Sequence, residues 1–322
     1  MTSLPAQRSV GIMSMQLVPH MSVTGSRPLS FPARIASCFA EARPQVQMIF
    51  FLRLLAGLVL ARPPRATISP GRLIAVAAVW ELAIMSVYLF DGVMDIVEDR
   101  LNGSTRPIAR GDLPRGFAAA ISGCAAAAAV AGAMLLGWPY ELLVPVILML
   151  GYLYCAPPVR LKRWSGTAGG TVTMAGLLTV VAGAAVNSPP RAGAALVVFA
   201  VVISLWMGLV GAVAKDFPDI EGDAAAGCRN TALLRHERAI RLVAGNAFAV
   251  AGGFLIAAWL AAPGLIWPAI VMLAGAAAVA GAAPGAVPTA SRARRRRPYN
   301  AFMVTQYLVH VAVLAGGLVL VR

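Results

Sequence analysis

What most limits the fold of this 322-residue chain is a series of apolar runs, each about 15 to 22 residues long, that recur along most of its length. A helix needs roughly 20 predominantly apolar residues to cross the hydrocarbon core of a bilayer. Nine such runs can be marked: Val46 to Ala61, Leu73 to Phe90, Phe117 to Leu136, Tyr140 to Cys155, Ala168 to Val186, Ala194 to Ala214, Leu242 to Ala261, Leu265 to Ala283 and Ala301 to Val321. Only Ala262, Pro263 and Gly264 separate the seventh from the eighth, so eight is the alternative count. Hydrophobic residues make up 59% of the chain and charged residues 12%, and the mean hydropathy is +0.76, outside the range of soluble domains. Ten-residue alternating strands, the mark of a membrane barrel, are absent. The expectation is an all-α polytopic bundle of about nine transmembrane helices.

A net charge of +14 would suit a nucleic-acid partner, but the placement of the basic residues argues for topology instead. With the N-terminus in the cytoplasm, the loops on that side carry Arg100, Arg106, Arg110, Arg115, Arg160, Lys162, Arg163, Lys215, Arg229, Arg235 and the run Arg294 to Arg297, among others. The opposite loops carry Arg62, Arg65, Arg72 and Arg191. This is the positive-inside pattern. The Ser/Pro-rich residues 1 to 42 lack a basic start leading into an apolar stretch and read as a flexible cytoplasmic tail without a cleavable signal, ahead of a membrane domain over 43 to 322. Cys38, Cys124, Cys155 and Cys228 have no metal-ligand spacing and no disulfide framework. Abundant Ala, Gly and Arg with scarce Lys suggest a GC-rich genome, hence a bacterial cell membrane.

The acidic residues carry the chemical signal. Eight of the thirteen lie in two short segments, Asp91, Asp95, Glu98 and Asp99, then Asp216, Asp219, Glu221 and Asp223. Each segment directly follows an apolar run, the second and the sixth, so both emerge on the cytoplasmic side. Asp91, Asp95 and Asp99 stand at i, i+4 and i+8, and Asp216, Asp219 and Asp223 at i, i+3 and i+7, so each trio shares a face if its helix continues. Rows of like charge need a cation. Mg2+ takes oxygen ligands and completes its octahedron with water and substrate phosphates, so two carboxylate rows suit Mg2+ ions that grip a diphosphate. The plainer reading is a pair of solvated loop clusters balanced by nearby arginines. An EF-hand does not fit, since no twelve-residue ligand loop ends in Glu.

Lysine gives an independent clue. The chain has only two, Lys215 next to Asp216 and Lys162 in the segment Tyr154-Cys-Ala-Pro-Pro-Val-Arg160-Leu-Lys162. A compact point charge on a flexible stem suits phosphate, although snorkelling at a helix end would also account for either one.

These segments together resemble the UbiA superfamily of membrane prenyltransferases. Asp91-Gly-Val-Met-Asp95-Ile-Val-Glu-Asp99, followed by Arg106-Pro107 and Gly111, is similar to the first motif of that family. Lys215-Asp216-Phe-Pro-Asp219-Ile-Glu-Gly222-Asp223 resembles the second, and the Tyr154 to Lys162 stretch resembles its Tyr/Pro-Pro/Lys loop. The match runs over about residues 43 to 322. Two places depart from the pattern: the family usually has Asn then Asp where this chain has Asp91 and Gly92, and Gly227-Cys228-Arg229-Asn230-Thr231 has one residue inserted before Thr.

The resemblance implies a helical bundle around a central cavity open to the cytoplasm and to lipid, a prenyl diphosphate donor and an acceptor that is most often an aromatic ring. Asp91, Asp95, Asp99, Asp216, Asp219 and Asp223 would hold Mg2+, and Arg106, Arg160, Lys162 and Lys215 would add donors to the diphosphate. The allylic cation left after C–O cleavage would be stabilised by aromatic faces, for which Tyr88, Phe90, Tyr152, Tyr154 and Phe217 are the candidates; each could equally be an interfacial belt residue. Glu81 sits near mid-membrane, where a carboxylate costs about 2.5 to 3.5 kcal/mol. It could orient the acceptor or collect its proton, or make a neutral interhelical hydrogen bond. Arg53 and His310 raise the same question, with Arg53 a candidate partner of Glu81. Two other activities compete: a terpene cyclase on the same scaffold, needing the same metal chemistry, and a multi-spanning transporter, which would leave the carboxylate rows unexplained and lacks obvious inverted repeats.

Overall fold

The computed structural model describes residues 29–63, 67–187 and 192–319, and among them every regular element is helical. In chain order these are α1 (Phe31–Glu41), α2 (Pro44–Leu60), α3 (Pro70–Met94), α4 (Ile96–Leu101), α5 (Pro107–Arg110), α6 (Arg115–Leu136), α7 (Tyr140–Cys155) and α8 (Ser165–Ala184). Then come α9 (Ala194–Leu205), which passes through a π turn (Trp206–Gly211) into α10 (Ala212–Ala214), α11 (Ile220–Ala225), α12 (Thr231–Leu234), α13 (His236–Ala261), α14 (Ile266–Ala282), α15 (Arg292–Arg295) and α16 (Arg297–Val319).

All nine apolar runs fall on helices, but their count as spans is lower. Among the described residues six helices are long and apolar enough to cross a membrane, and a seventh is gained if α1 and α2, bent by 65° at their junction, form one broken span. The run on α7 makes a helix of 16 residues, short of a full crossing. That of α16 extends into residues 320 and 321, outside the described residues. Arg65 and Arg191 of the charge pattern, and residues 1 to 28 of the tail, also lie outside the described residues.

The tail as read from sequence extends too far. Phe31–Glu41 is a helix with Pro32 in its first turn, and it buries Cys38 and Glu41 against the bundle. Its apolar residues are interspersed with Arg34, Ser37 and Glu41, so no continuous run announces it. At the bend Arg43 takes a left-handed backbone conformation, φ 56°. Pro44 then opens α2, at a position where a missing N–H costs nothing.

Between helices in hydrocarbon the hydrophobic effect offers little, so close approach and polar links hold the bundle. Where α2 crosses α8, Gly57 lies against the Val180 carbonyl and Gly183 against that of Leu54, and a methyl group at either would overlap the facing backbone. Helices α3 and α6 exchange a reciprocal pair of hydrogen bonds, Ser86 Oγ to the Ser122 carbonyl and Ser122 Oγ to that of Ser86, each 2.9 Å. Arg53, fully buried in α2, donates to Gln306 Oε1 of α16 at 2.6 Å and also contacts the Met207 sulfur. Its partner is therefore not Glu81. His310 in turn meets the Gln306 carbonyl through Nδ1 at 2.6 Å.

Candidate active site

The two acidic segments sit where helices break. Helix α3 ends at Met94 and Asp95 leaves the helical conformation, yet the turn-to-turn hydrogen bonds continue across the break, Asp95 N–H to the Asp91 carbonyl at 2.9 Å and Asp99 N–H to the Asp95 carbonyl at 2.8 Å. The i, i+4, i+8 row thus survives into α4. The second segment is less regular. After α10 the chain makes a 3-10 turn over Phe217–Asp219 and then forms α11, which carries Asp223.

A cavity of about 960 Å3 opens between these breaks. Asp91, Asp95, Asp99, Asp216, Asp219 and Asp223 all line it, together with Lys162, Lys215 and Arg106. Its deeper wall is apolar and aromatic, with Ile49, Phe50, Ile84, Ile147, Leu150 and Phe302.

Every one of the six aspartates is already partnered. Arg106 pairs with Asp99 at 2.9 Å and Asp91 at 3.5 Å, and Arg43 reaches Asp91 at 3.6 Å. Lys162 pairs closely with Asp95, and Lys215 with Asp216 at 3.0 Å. Arg292 joins Asp219 at 2.9 Å, and Asn230 donates to Asp223 at 2.6 Å. Burial by itself would push the Lys162 ammonium down, but the carboxylates of Asp95 and Asp91 outweigh it and hold the group charged, above its usual range. Burial pushes the Asp99 carboxyl up against the pull of Arg106 and Arg43, with Asp91 and, from the second segment, Asp219 adding repulsion.

Among the described residues no three His, Cys, Asp or Glu side chains close around a common point as a ready metal site. The donor set nonetheless suits a hard cation, since the facing ligands are all carboxylate oxygens lining one polar chamber. Tyr88 and Tyr154 also line the chamber. The other candidate residues lie apart from it. Arg160 stands behind the wall, paired closely with Glu98 and at 3.7 Å with Asp95. Phe90 and Tyr152 stack on each other at 5.8 Å, with Tyr152 on the bundle surface. Phe217 is wholly buried, edge-on to His236 at 5.4 Å. Glu81 is half-buried on α3, with Oε1 unpartnered and away from the cavity lining.

Several residues that line or build the site carried no signal of their own in the sequence. Arg43 and Arg292 blend into the overall basic charge, although Arg292 stands two residues before the run Arg294 to Arg297. Tyr299, Tyr307 and Gln306 reach the chamber from α16, where they look like ordinary span residues. Glu41 lay in the supposed tail.

Comparison with known proteins points to a family and a fold. A homogentisate phytyltransferase of Synechocystis sp. (strain ATCC 27184 / PCC 6803 / Kazusa) is 32% identical over 165 residues, 48% of this chain and 53% of that protein, so the match spans about half of each. A UbiA homolog from Archaeoglobus fulgidus, solved bound to GPP and Mg2+, superposes with a TM-score of 0.68 at 18% identity, over 88% of this chain and 99% of that one. The apo structure of a UbiA homolog from Aeropyrum pernix K1 gives a TM-score of 0.59 at 19% identity, over 84% and 96%. The family model for the UbiA prenyltransferase family matches residues 50–306, most of the chain and both aspartate segments, and the protein is an integral membrane member of that family.

Proposed function

We propose that the protein transfers a prenyl group from a prenyl diphosphate to an aromatic acceptor, with Mg2+ as its cofactor. One observation carries this reading: six aspartates from two segments more than a hundred residues apart line a single chamber with Lys162, Lys215 and Arg106, and an apolar, aromatic wall continues from it. That combination fits a substrate with a multiply charged diphosphate head and a hydrocarbon tail. The relatives add support, one being a homogentisate phytyltransferase and another a structure holding GPP and Mg2+.

In this reading Asp91, Asp95 and Asp99 on one side and Asp216, Asp219 and Asp223 on the other hold the metal. Mg2+ held there would supply Lewis-acid chemistry and positive charge to balance the departing diphosphate. Lys162, Lys215 and Arg106 donate to phosphate oxygens not taken by metal, which lowers the barrier as negative charge gathers on the leaving group. The tail lies along Ile49, Phe50, Ile147 and Leu150, out of water. The allylic cation forms next to Tyr88 and Tyr154, whose ring faces attract it by about 0.5 to 2 kcal/mol each. The acceptor ring then attacks and gives up its proton. Both segments are assigned to the cytoplasmic side on the placement of the basic loops, and the membrane to a bacterial cell on the Ala, Gly and Arg-rich composition.

The test is a membrane assay that pairs prenyl diphosphates of several chain lengths with a panel of phenolic acceptors, with and without Mg2+. Prenylated acceptor that forms only with Mg2+ is the expected product. A cyclic hydrocarbon formed from the diphosphate alone would replace the reading with a cyclase, and no consumption of any diphosphate would end it.

A further inference from the structure

Gly92 is the residue at which this chain departs from the acidic pattern of its first motif, and the space beside it is filled. A Cβ built on Gly92 would overlap Glu41 Oε1 and stand 2.5 Å from Arg106 Nη2. Glu41 comes from α1, about fifty residues earlier in the chain, and its side chain is wholly buried. A buried carboxylate is costly unless charge and hydrogen bonds compensate it. Here Oε1 lies 2.6 Å from Arg106 Nε, a charge contact off the hydrogen-bond axis, and Oε2 accepts the Ile108 N–H at 2.9 Å.

The guanidinium of Arg106 is divided between two sets of partners. Its Nε faces Glu41, and its Nη2 donates to the Glu41 and Tyr88 carbonyls, each at 3.2 Å. That leaves Nη1 for the aspartates, 2.9 Å from Asp99 and 3.5 Å from Asp91. A guanidinium is planar and rigid, so fixing two of its nitrogens fixes the aim of the third.

We propose that Glu41 is a positioning residue of the site: its carboxylate occupies the space left by Gly92 and holds Arg106 with one edge toward Asp91 and Asp99. The acidic group that the motif lacks at position 92 is supplied from the helix before the first span. The fold of α1 onto α3 is thereby part of the site's electrostatics. Without Glu41 the charge of Arg106 is shared by Asp91 and Asp99 alone, and Arg106 competes harder with any divalent cation for those oxygens.

The inference rests on the Mg2+–diphosphate reading for its turnover and pyrophosphate measurements; the unfolding comparison of Gly92→Asp in the two backgrounds does not depend on it. The protein is purified in detergent as the full chain, and Glu41→Gln, Glu41→Ala, Gly92→Asp and the double variant Glu41→Ala with Gly92→Asp are compared with the parent. Thermal unfolding is followed with and without Mg2+ plus inorganic pyrophosphate, and turnover is followed against Mg2+. Glu41→Gln keeps an acceptor for the Ile108 N–H and removes the charge, so a purely structural role predicts little change. A positioning role predicts a Mg2+ requirement, for both turnover and pyrophosphate-dependent stabilisation, raised about 10- to 100-fold, as for other groups that orient a metal's ligands. Gly92→Asp alone should unfold at a lower temperature than the parent. The same change made in Glu41→Ala should cost much less, and should recover at least about tenfold of the turnover that Glu41→Ala loses. The proposal is overturned if Glu41→Gln keeps the parent's Mg2+ dependence in both measurements, or if Gly92→Asp is equally harmful in the two backgrounds. A parent without turnover in any acceptor assay would count against the proposed function, while the unfolding comparison would still decide the role of Glu41.

Discussion

The side chain of Asn102 accepts the backbone N–H of Gly222 at 2.7 Å, tying the end of the first acidic segment to the middle of the second. Both partners are buried, and a Cβ on Gly222 would fall against the Asn102 amide and 2.5 Å from the Glu98 carbonyl. Arg292 reinforces the junction, reaching Asp219 at 2.9 Å and the Gly103 carbonyl at 3.5 Å. The two halves of the chamber are thus set by direct contact.

Asn102→Ala should leave a buried N–H without an acceptor, at a cost of about 1 to 3 kcal/mol. Gly222→Ala should separate the same two segments by steric overlap. Each is expected to lower the unfolding temperature in detergent and raise the Mg2+ requirement, and because both break one junction the double variant should be little worse than the more damaging single one. Fully additive losses would show that the contact does not couple the segments.

Asp95→Ala and Asp219→Ala test whether the two segments act as one site. Each should abolish turnover without reducing the amount of protein inserted, and the two losses should not add, since residues that act as a unit fail together. Substantial activity in either purified variant would contradict a shared metal site.

Asp91 and Asp95 differ in surroundings, and their amides should differ in effect. Asp91 faces two arginines and accepts from the Cys155 thiol at 3.3 Å, whereas Asp95 is matched closely by Lys162, with Arg160 farther off at 3.7 Å. Two unit charges about 5 Å apart at an effective dielectric near 20 interact by about 3 kcal/mol, an upper bound for so polar a chamber. Asp91→Asn keeps an oxygen at the same reach, so it should raise the Mg2+ requirement and keep most of the maximal rate. Asp95→Asn should lose most turnover even at saturating Mg2+. Rate measured against Mg2+ for both variants decides, and equal rescue of the two would remove the distinction.

Single cysteines placed at Asp112, Arg235 and Ala192, in a Cys124→Ala background, test the sidedness. In intact cells an impermeant thiol reagent should spare the first two and label the third. Labelling of all three would overturn the cytoplasmic assignment of the acidic segments.

Much of this architecture is legible in the sequence, for reasons that particular residues make plain. The nine apolar runs mark helices because hydrocarbon leaves a crossing segment few other forms. The aspartate rows stand out because eight acidic residues in two places are conspicuous in so apolar a chain. Helix α1 was not legible, since a short helix carrying Arg34 and Glu41 gives no span-length run. The roles of Glu41 and Arg292 were hidden for another reason: each pairs with an acidic or basic group far away in sequence, and no local spacing encodes such a pairing. Phe90, Tyr152 and Phe217 show the converse. They flank the motifs closely, yet helix geometry turns them to lipid or into the core.

The complete pairing of the six aspartates has a consequence for how the protein survives between turnovers. A small zinc domain unfolds when its ion is withdrawn, because nothing else balances its ligands. Here Lys162, Lys215, Arg43, Arg106 and Arg292 stand in as resident counter-ions. A chelator should therefore silence the protein without melting it, and the emptied chamber should remain ready to be recharged.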